Sequence, residues 1–578
     1  MTKLRVPVLL KDAEAEDAKG FPPTEDREIE VESLLPGPVS DRVAIVDLQA
    51  GGALSPPLPV PKAGETPRGT PSNPYEDPFT IRWSAFATVL ETLKLFESAD
   101  CLGRTVEWAF RGPQLLVVPQ AGMAANAYYH RESRSLQFFS FPRPGTHQVA
   151  HTAASHDIVA HETGHAILDG IAPWLYDASS PQSLAIHESV ADLTSLFAAV
   201  STRTLRAKAL QLTGGDLTQT WLFSAIARDM RGIGGDDVAL RSLVDPEGTS
   251  PLSLAQFGAT ARAPEPHAMS VVLSRAFYAL MLDVFDARSQ SGHFRRSASG
   301  ARALNLSALA EVEPATADAI ETGLAPDAQT QARALWFAGS LVKRLVVRGL
   351  DYLPPGDVGF IELARAILAC DAAAHPDDTT RVRSLLIDRL LERGIGTRNT
   401  LHTDFEGISD PLSADDLEAI IASDWHAMRF VEARRKRLGI PDGVPFDVLP
   451  RLATSKLLYR TAGSQLRREV VLKVAWREQE SSVAAGPLPG RRWVRRGVSM
   501  AFDRATGAVC AFVDHHDPCA TTAERDLFVA SLLDSHALGP RPSAQTDRSP
   551  NSPIAWRVSD GAYELVGTGR ALHITSRM

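Results

Sequence analysis

The sequence predicts an α+β fold divided into two or more domains. A chain of 578 residues, of which 44% are hydrophobic and 22% are charged, can bury more core than a single domain needs. Short strand patterns occur before residue 150, and apolar residues then recur mainly at helical spacing to about residue 375. Strand-like alternation returns towards the C-terminus. This mixture of strands and helices predicts the α+β class.

The first 75 residues are predicted to form an N-terminal extension that is partly disordered. Residues 1–28 are polar, and short strands are expected only at Ile29–Val31 and Arg42–Leu48. The stretch Gly51–Pro78 is rich in proline and glycine, which is typical of a linker or an extended arm.

Residues 76–201 are predicted to form the next unit, in which a long helix and two strands precede two apolar helices. Residues 202–396 are predicted to be mainly helical. The expected elements of these two units are helix Phe79–Ser98, strands Gln114–Pro119 and Ser135–Phe141, and helices Ser155–Asp169, Leu184–Ser201, Thr218–Arg231, Ala268–Arg288, Ala328–Arg348 and Phe360–Ala374.

Residues 397–578 are predicted to form an accessory α+β domain. It begins with an expected helix at Ala414–Leu438. Further on, Asp503–Gly507 has the composition of a hairpin turn between two alternating apolar stretches. The paired apolar residues on either side of this turn are Val498, Met500 and Phe502 before it, and Cys510 and Phe512 after it.

Two polar groups in this domain have more than one interpretation. The basic run Arg491–Arg496 is predicted to be a solvated strand face rather than an anion-binding site. Cys510, His515, His516 and Cys519 have a spacing that fits no common closed zinc motif, so an ordinary loop is favoured over a second metal site.

Composition sets outer limits on function. The formal net charge of −9 is modest for this length, so neither nucleic acid nor a membrane surface is an expected partner. The four cysteines follow no disulfide framework, which is compatible with a reducing compartment. No stretch is expected to approach the length and apolarity of a membrane span, and no secretory signal is recognised. We therefore expect a cytoplasmic protein, or one exported without a conventional signal peptide.

Two short segments together predict a catalytic metal site. The first is His161-Glu162-Thr163-Gly164-His165, an H-E-x-x-H motif, and the second is Glu188-Ser189-Val190-Ala191-Asp192. Histidines four residues apart on a helix share one face, so both imidazoles can bind one tetrahedral zinc ion. Glu188 is the candidate third ligand. Asp192 lies one turn further on and is predicted to accept the N–H of His161, which would fix the tautomer of that ring.

An H-E-x-x-H motif alone also occurs by chance on exposed helices, where its side chains are simply solvated. The flanking residues argue against that interpretation. Ile158–Ala160 and Ala166–Leu168 make the helix apolar around most of its circumference, so it is predicted to be buried. Because buried histidine and glutamate side chains must be paired or bound to a metal, the zinc interpretation is favoured.

With these motifs in place, the chain resembles the thermolysin family of zinc endopeptidases. Asn126-Ala127-Tyr128-Tyr129 is similar to the family's N-A-F-W edge-strand segment, and Asp157–Ala160 is similar to the D-V-V-A before its zinc motif. Leu240–Pro246 resembles L-R-S-M-S-D-P, and His267–Ser270 resembles H-I-N-S. These matches occur in the family's order.

The resemblance extends from about Tyr75 to Gly396. It implies a two-lobed catalytic region, with a mixed β/α N-lobe at 76–201 and a mainly helical C-lobe at 202–396. It also implies one catalytic zinc ion held by the three predicted ligands. Structural calcium is not expected, because Ala199 occupies the position of one calcium-binding carboxylate, although Asp157 matches another.

The resemblance further implies a role for each matched polar residue. Glu162 would be the general base that takes a proton from the attacking water. Tyr176 and His267 would donate hydrogen bonds to the oxyanion. Asp192 and His187 would form hydrogen bonds to the metal ligands. His187 replaces the family's asparagine, however, and could instead compete for metal.

Substrate-binding residues follow from the same resemblance. The edge strand at Asn126 and Ala127 would pair with an extended peptide, and Arg241 would hold a substrate carbonyl. Ile158 and Leu240 occupy positions that line the pocket for the residue after the scissile bond. Cleavage before Leu, Phe, Ile or Val is therefore expected.

One departure concerns the residue that orients His267. The family has an aspartate five residues before this histidine, but Arg262 occupies that position here. The nearest acid is Glu265. Either Glu265 replaces the aspartate, or His267 is less basic than its family counterpart.

The sequence therefore predicts a zinc-dependent endopeptidase that acts on peptides or proteins. Two alternatives are a catalytically silent thermolysin-like binding protein and an exported protease effector. Glu162 is dispensable for binding metal but is needed for hydrolysis, so its presence favours an active enzyme.

Overall fold

The fold is known from a computed structural model of the chain. The residues that it describes are 2–10, 23–48, 52–62, 65–67, 69, 73–143, 148–177, 180–219, 223, 225–226, 241–246, 248–257, 265–289, 304–311, 326–402, 411–460, 463–483, 486–515, 522–540 and 554–567. Helices and several sheets are both present, so the predicted α+β class is confirmed.

The chain forms two compact units, and neither is one continuous stretch of sequence. Unit 1 comprises Met1–Leu95, Val106–Gly170 and Val190–Val244. Unit 2 comprises Phe96–Thr105, Ile171–Ser189 and Asp245–Met578.

Unit 1 begins with an antiparallel pair of strands, β1 (Thr2–Leu9) and β2 (Thr24–Val31). The expectation that residues 1–28 would be disordered is therefore wrong for the residues of these strands. All the apolar residues of β1, from Leu4 to Leu9, are buried. The N–H of Leu9 donates to Ser84 Oγ at 2.9 Å on helix α1 (Pro78–Glu97). Burial against α1 offsets the polarity that suggested disorder.

A five-stranded mixed sheet follows in unit 1. Its order is β3-β4-β6-β5, with β7 also paired to β6, so β5 is an edge strand. The strands predicted near residues 114 and 135 are confirmed. The sheet consists of β3 (Val43–Ile45), β4 (Leu115–Met123), β5 (Ala127–His130), β6 (Ser135–Pro142) and β7 (Val149–His151).

Two buried helices carry the H-E-x-x-H motif and the second acidic segment, as predicted. They are α2 (His156–Ile171) and α3 (Pro181–Ser201). Gly164 allows the two helices to approach closely, because a Cβ there would lie 2.8 Å from Thr194 Oγ1 and 3.1 Å from Ala191 Cα. Ser195 Oγ also donates to the carbonyl oxygen of Asp157 at 2.7 Å. The helix packing thus fixes the register of one motif against the other.

The region after α3 contains helix α4 (Arg203–Thr213) and a short antiparallel pair of strands, β8 (Ala225–Ile226) and β9 (Arg241–Ser242). The helix predicted at Thr218–Arg231 is wrong at the two residues of β8. A short apolar run has no clear period, so pairing with a distant strand decides its conformation. Most of the other residues of that predicted helix lie outside the described residues.

The helices expected in the middle of the chain are confirmed in unit 2. Two shorter helices also occur in this region. In chain order these elements are α5 (Pro266–Ser289), α6 (Leu306–Glu311), α7 (Pro326–Leu350), α8 (Phe360–Ala374) and α9 (Val382–Glu392).

Helix α5 is long and apolar enough to cross a membrane by length and composition. The expectation that no stretch would resemble a membrane span is therefore wrong for this helix. However, 83% of its most apolar window is buried inside the protein. Buried core helices pass the same test, so α5 is only weak evidence for a membrane span.

The C-terminal part of unit 2 contains an eight-stranded sheet, whose main path is β10-β12-β13-β17-β16-β15. β11 and β14 pair with β12 and β13 respectively. The strands are β10 (Phe446–Val448), β11 (Leu452–Arg460), β12 (Gly463–Ser481), β13 (Arg491–Asp503), β14 (Val509–Asp514), β15 (Leu538–Pro540), β16 (Ile554–Ser559) and β17 (Ala562–Gly567). The hairpin predicted at Asp503–Gly507 joins β13 to β14 and is confirmed.

Two helices pack on this sheet where the sequence predicted one. The expected helix Ala414–Leu438 is instead α10 (Ala414–Ala422) followed by α11 (Asp424–Glu432). The break falls at Ser423, whose Oγ accepts the N–H of His426 and so starts a new helix. A further helix, α12 (Thr522–Asp534), lies between β14 and β15 in the chain.

The basic run on β13 is only in part the solvated strand face that the sequence predicted, since Arg491 is exposed but Arg492 is not. Arg492 is 4% exposed and pairs with Glu480 and Asp526. Arg495 pairs with Asp177 at 3.0 Å. These arginines are held by carboxylates distant in sequence, which a local charge pattern does not reveal.

Candidate metal centre

Three buried side chains on α2 and α3 form a group that could hold a metal ion. His161, His165 and Glu188 each offer one ligand atom, and these atoms all lie within 4.8 Å of one another. The three side chains belong to residues no more than 6% exposed. The group matches the ligand set that the sequence predicted.

The geometry of the two histidines fits a tetrahedral ion. Their Nε2 atoms lie 3.1 Å apart, with the rings nearly perpendicular. An ion about 2.0–2.1 Å from two nitrogens at a tetrahedral angle would hold them about 3.3 Å apart. The carboxylate of Asp192 lies 3.2 Å from Nδ1 of His161, on the other side of that ring. This position of the carboxylate would keep the ring proton on Nδ1 and leave the lone pair of Nε2 for a metal ion.

Glu162 lies between the two histidine ligands in sequence and is fixed by the edge strand β5. The N–H of Tyr129 donates to Glu162 Oε2 at 3.0 Å. Tyr129 O–H also donates to Asp169 Oδ2 at 2.8 Å, and Arg131 Nε donates to the same oxygen. Burial raises the pKa of Asp169, although these hydrogen bonds oppose that rise. Strand β5 and the turn after it thus contact α2 at Glu162 and again at Asp169, two turns later.

Tyr129 is not among the residues that the sequence predicted for the site. Its contact with Glu162 is made by a backbone N–H, which every residue except proline possesses. No side-chain pattern could have revealed it. The one available signal was the expected edge strand itself.

His267 is held between two carboxylates of unit 2. Its Nδ1 lies 2.7 Å from Glu265 Oε1, and its Nε2 lies 3.1 Å from Glu188 Oε2. Glu265 Oε2 also accepts the N–H of Ala268 at 2.7 Å at the start of α5. Burial raises the pKa of Glu265, but the hydrogen bond and charge of His267 outweigh burial and lower it overall. Of the two alternatives for the missing aspartate, the geometry favours replacement by Glu265.

Tyr176 lies in a single 3₁₀ turn, Pro173–Asp177, and is fully buried. Its ring centroid lies 5.9 Å from that of His187, and the two rings meet edge to face. His187 precedes the ligand Glu188 on α3. The structure therefore brings Tyr176 beside the segment that carries the third ligand.

The predicted substrate-binding residues are only partly described. Ala127 opens the edge strand β5, and its N–H donates to Asn126 Oδ1 at 2.9 Å. Ile158 is 3% exposed on α2, one turn before Glu162. Arg241 is described only as part of the backbone of β9, and Leu240 lies outside the described residues.

Comparison with protein-family models finds no family model that matches the chain. Comparison with curated proteins finds no significant match. An assignment of function therefore depends on the chemistry of the site itself.

Proposed function

We propose that this protein is a zinc-dependent endopeptidase with a thermolysin-like, two-lobed catalytic region. The proposal is carried by Glu162, a carboxylate that lies between the two histidines in sequence but is not one of the three grouped ligands. When bound, zinc would polarise the scissile carbonyl and lower the pKa of a water molecule. A structural metal site needs no additional carboxylate, whereas hydrolysis needs a base beside the ligands.

Glu162 would be that general base. The N–H of Tyr129 holds Glu162 Oε2 at 3.0 Å and so restricts the rotation of the carboxylate. A base held in one orientation removes a proton more effectively than one that must first be ordered. The same edge strand that orients Glu162 would also bind the substrate backbone.

His267 and Tyr176 would donate hydrogen bonds to the oxyanion of the transition state. Glu265 fixes the ring of His267 through Nδ1, so Nε2 is directed towards the ligand Glu188. His187 would pack against Tyr176 and limit the positions of its ring. These contacts support a preorganised site.

The substrate is proposed to be an extended peptide that pairs with the edge of β5. Asn126 and Ala127 would contact the peptide near the departing amine, and Arg241 would hold a substrate carbonyl. The expected pocket residues Ile158 and Leu240 are both apolar. We therefore expect cleavage before Leu, Phe, Ile or Val, measured by sequencing the products of a random peptide mixture. A preference for charged residues at that position would contradict this specificity.

The first test is hydrolysis of a quenched peptide with a Gly-Leu or Gly-Phe bond at its centre. We expect chelator to abolish activity and zinc to restore it. Glu162→Gln should lower kcat by roughly 10²–10⁴-fold, the usual contribution of a general base, while the protein still binds one zinc ion. Zinc content is measured on the same samples. Glu132→Gln, at an exposed position in the turn between β5 and β6, is the matched control and should retain full activity.

Two outcomes would overturn the proposal. A zinc-loaded native protein that cleaves no member of a broad peptide set would instead indicate a catalytically silent binding protein. Full activity of Glu162→Gln would show that another group is the base.

A further inference from the structure

The turn that carries Tyr176 is flanked by two side chains that contact the C-terminal sheet. The turn Pro173–Asp177 lies between α2 and α3 in the chain and is a 3₁₀ helix of only five residues. Trp174 lies two residues before Tyr176, and Asp177 directly follows it. A segment this short has few internal hydrogen bonds, so its conformation depends on what it packs against.

Asp177 is held by an arginine of β13. Asp177 Oδ2 accepts a hydrogen bond from Arg495 Nη1 at 3.0 Å. Arg495 Nη2 donates to Glu564 Oε1 of β17 at 3.3 Å, and the carbonyl oxygen of Arg495 accepts the N–H of Asp357 at 3.0 Å. Burial lowers the pKa of Arg495, but the charges of Asp177 and Glu564 outweigh burial and raise it overall. Arg495 thus joins the turn to two strands of the sheet.

Trp174 is held by a lysine of β12. The Lys473 ammonium lies 4.8 Å from the centroid of the Trp174 ring, and Lys473 is 2% exposed. Within the described part of the chain, Lys473 Nζ has no hydrogen-bond acceptor. A desolvated cation over an aromatic face is attracted more strongly than an exposed one, so the ring is a substantial partner for this charge.

The strands that supply these two cations are themselves fixed. β12 and β13 pair antiparallel from Glu469–Asp503 to Ser481–Arg491. Arg492, on the same strand as Arg495, is bound to Glu480 and Asp526. The turn is therefore held by a rigid element.

We propose that the C-terminal sheet positions Tyr176, with Arg495 and Lys473 holding the Pro173–Asp177 turn on either side of that residue. Both are positioning residues, because they act through the turn. The expected effect on rate rests on the proposed peptidase function, whereas the contacts themselves do not. The region after residue 397 would then be part of the catalytic apparatus rather than a separate binding module.

The first experiment replaces the ion pair in the full-length zinc-loaded protein. Arg495→Met should lower kcat about tenfold or more with KM changed less than about twofold, because an oxyanion donor contributes mainly to the transition state. Arg495→Lys should recover part of the loss. Arg491→Met, at an exposed position on the same strand, is the matched control and should leave kcat unchanged.

A second experiment asks whether Arg495 acts through Tyr176. Tyr176→Phe removes the hydroxyl, so adding Arg495→Met to that variant should lower kcat no further. Equal losses in both backgrounds would overturn the proposal, because they would show that Arg495 affects the rate by another route. An unchanged kcat in Arg495→Met alone would also overturn it.

Hydrogen exchange separates this inference from the peptidase proposal. Amide protons of Trp174–Asp177 should exchange faster in Arg495→Met than in the native protein, with no such change in Arg491→Met. If the native protein cleaves no peptide, the proposed function fails, while faster exchange still supports the structural part of the inference. Unchanged exchange in Arg495→Met would overturn the inference even in an active enzyme.

Discussion

At the scale of single residues, a carboxylate beside His161 would orient this ring for binding a metal ion. Asp192 lies 3.2 Å from Nδ1, while Nε2 faces the second histidine ligand at 3.1 Å. A neutral imidazole has one N–H, and the carboxylate would keep that proton on the nitrogen turned away from the cluster. The ligand nitrogen is therefore available without reorganisation of the ring.

We expect Asp192→Asn to weaken metal binding by about 10–100-fold, the usual cost of losing such a supporting carboxylate. The asparagine keeps the shape of the side chain but can present its amide N–H₂ to Nδ1, which would favour the wrong tautomer. Competition with a calibrated chelator would measure the affinity. Asp388→Asn, which alters a half-exposed carboxylate on α9, should leave the affinity unchanged. Equal affinities of the Asp192 variant and the native protein would rule out this role.

At the scale of elements, the site depends on how closely α2 and α3 approach. Gly164 lies within the H-E-x-x-H motif, and its missing side chain leaves room for Ala191 and Thr194. Thr194 Oγ1 donates to the carbonyl oxygen of Val190 at 2.7 Å, so the threonine side chain does not move aside freely. Gly164 thus sets the distance between the two helices.

We expect Gly164→Ala to destabilise the protein by about 1–3 kcal/mol, because its Cβ would force the helices apart. The shift would also separate the ligands and lower zinc affinity. Thermal unfolding with and without zinc would measure both effects. Gly490→Ala is the matched control, since a Cβ there meets its nearest described atom at 3.8 Å. A Gly164→Ala protein with native stability and affinity would show that the helices tolerate the extra methyl group.

At the scale of the whole molecule, the free energy of unfolding should depend on charges that are buried beside the C-terminal sheet. Lys473 is buried near the charged groups of Asp351, Arg104 and Lys456. Burial lowers the pKa of Lys473 to about 7, although the charge of Asp351 opposes this fall. In the unfolded chain the pKa returns to its ordinary value, close to 10.5.

Between pH 7 and pH 10.5 the unfolded chain therefore binds more protons at Lys473 than the folded protein does. The contribution of Lys473 to folding is least favourable below pH 7 and improves as pH rises through this range. Lys473→Met removes this cost but also the contact of the ammonium with the Trp174 ring. It should therefore raise the free energy of unfolding at pH 7 by roughly 2–4 kcal/mol, which is less than the full cost at about 1.4 kcal/mol per pKa unit. Urea unfolding at pH 7 and pH 10 would measure the gain, which should shrink at the higher pH. A gain that did not vary with pH would mean that the titration of Lys473 does not cause it.

The sequence predicted those parts of the fold that depend on local patterns. The helices that carry the motifs were predictable because their apolar periodicity is local and long. The three ligands were predictable from the spacing of residues within the two motifs. The partners of Arg492 and Arg495 were not, because Asp526 and Asp177 are distant in the sequence. The break at Ser423 was missed because a side chain that accepts a backbone N–H ends one helix and starts another without interrupting the apolar pattern.

Under the proposed function, the edge strand β5 would select substrates first by their backbone conformation and only then by their side chains. One side of this four-residue strand pairs with β6. Its first residue, Ala127, would contact the substrate under the proposed function. A partner can add to such an edge only when several consecutive residues are extended and their N–H and C=O groups are not already paired. Helices and interior strands of a folded target would fail this requirement whatever their sequence. Loops, termini and locally unfolded segments would be cut first, so the folding state of a target protein would govern its lifetime in the presence of this one.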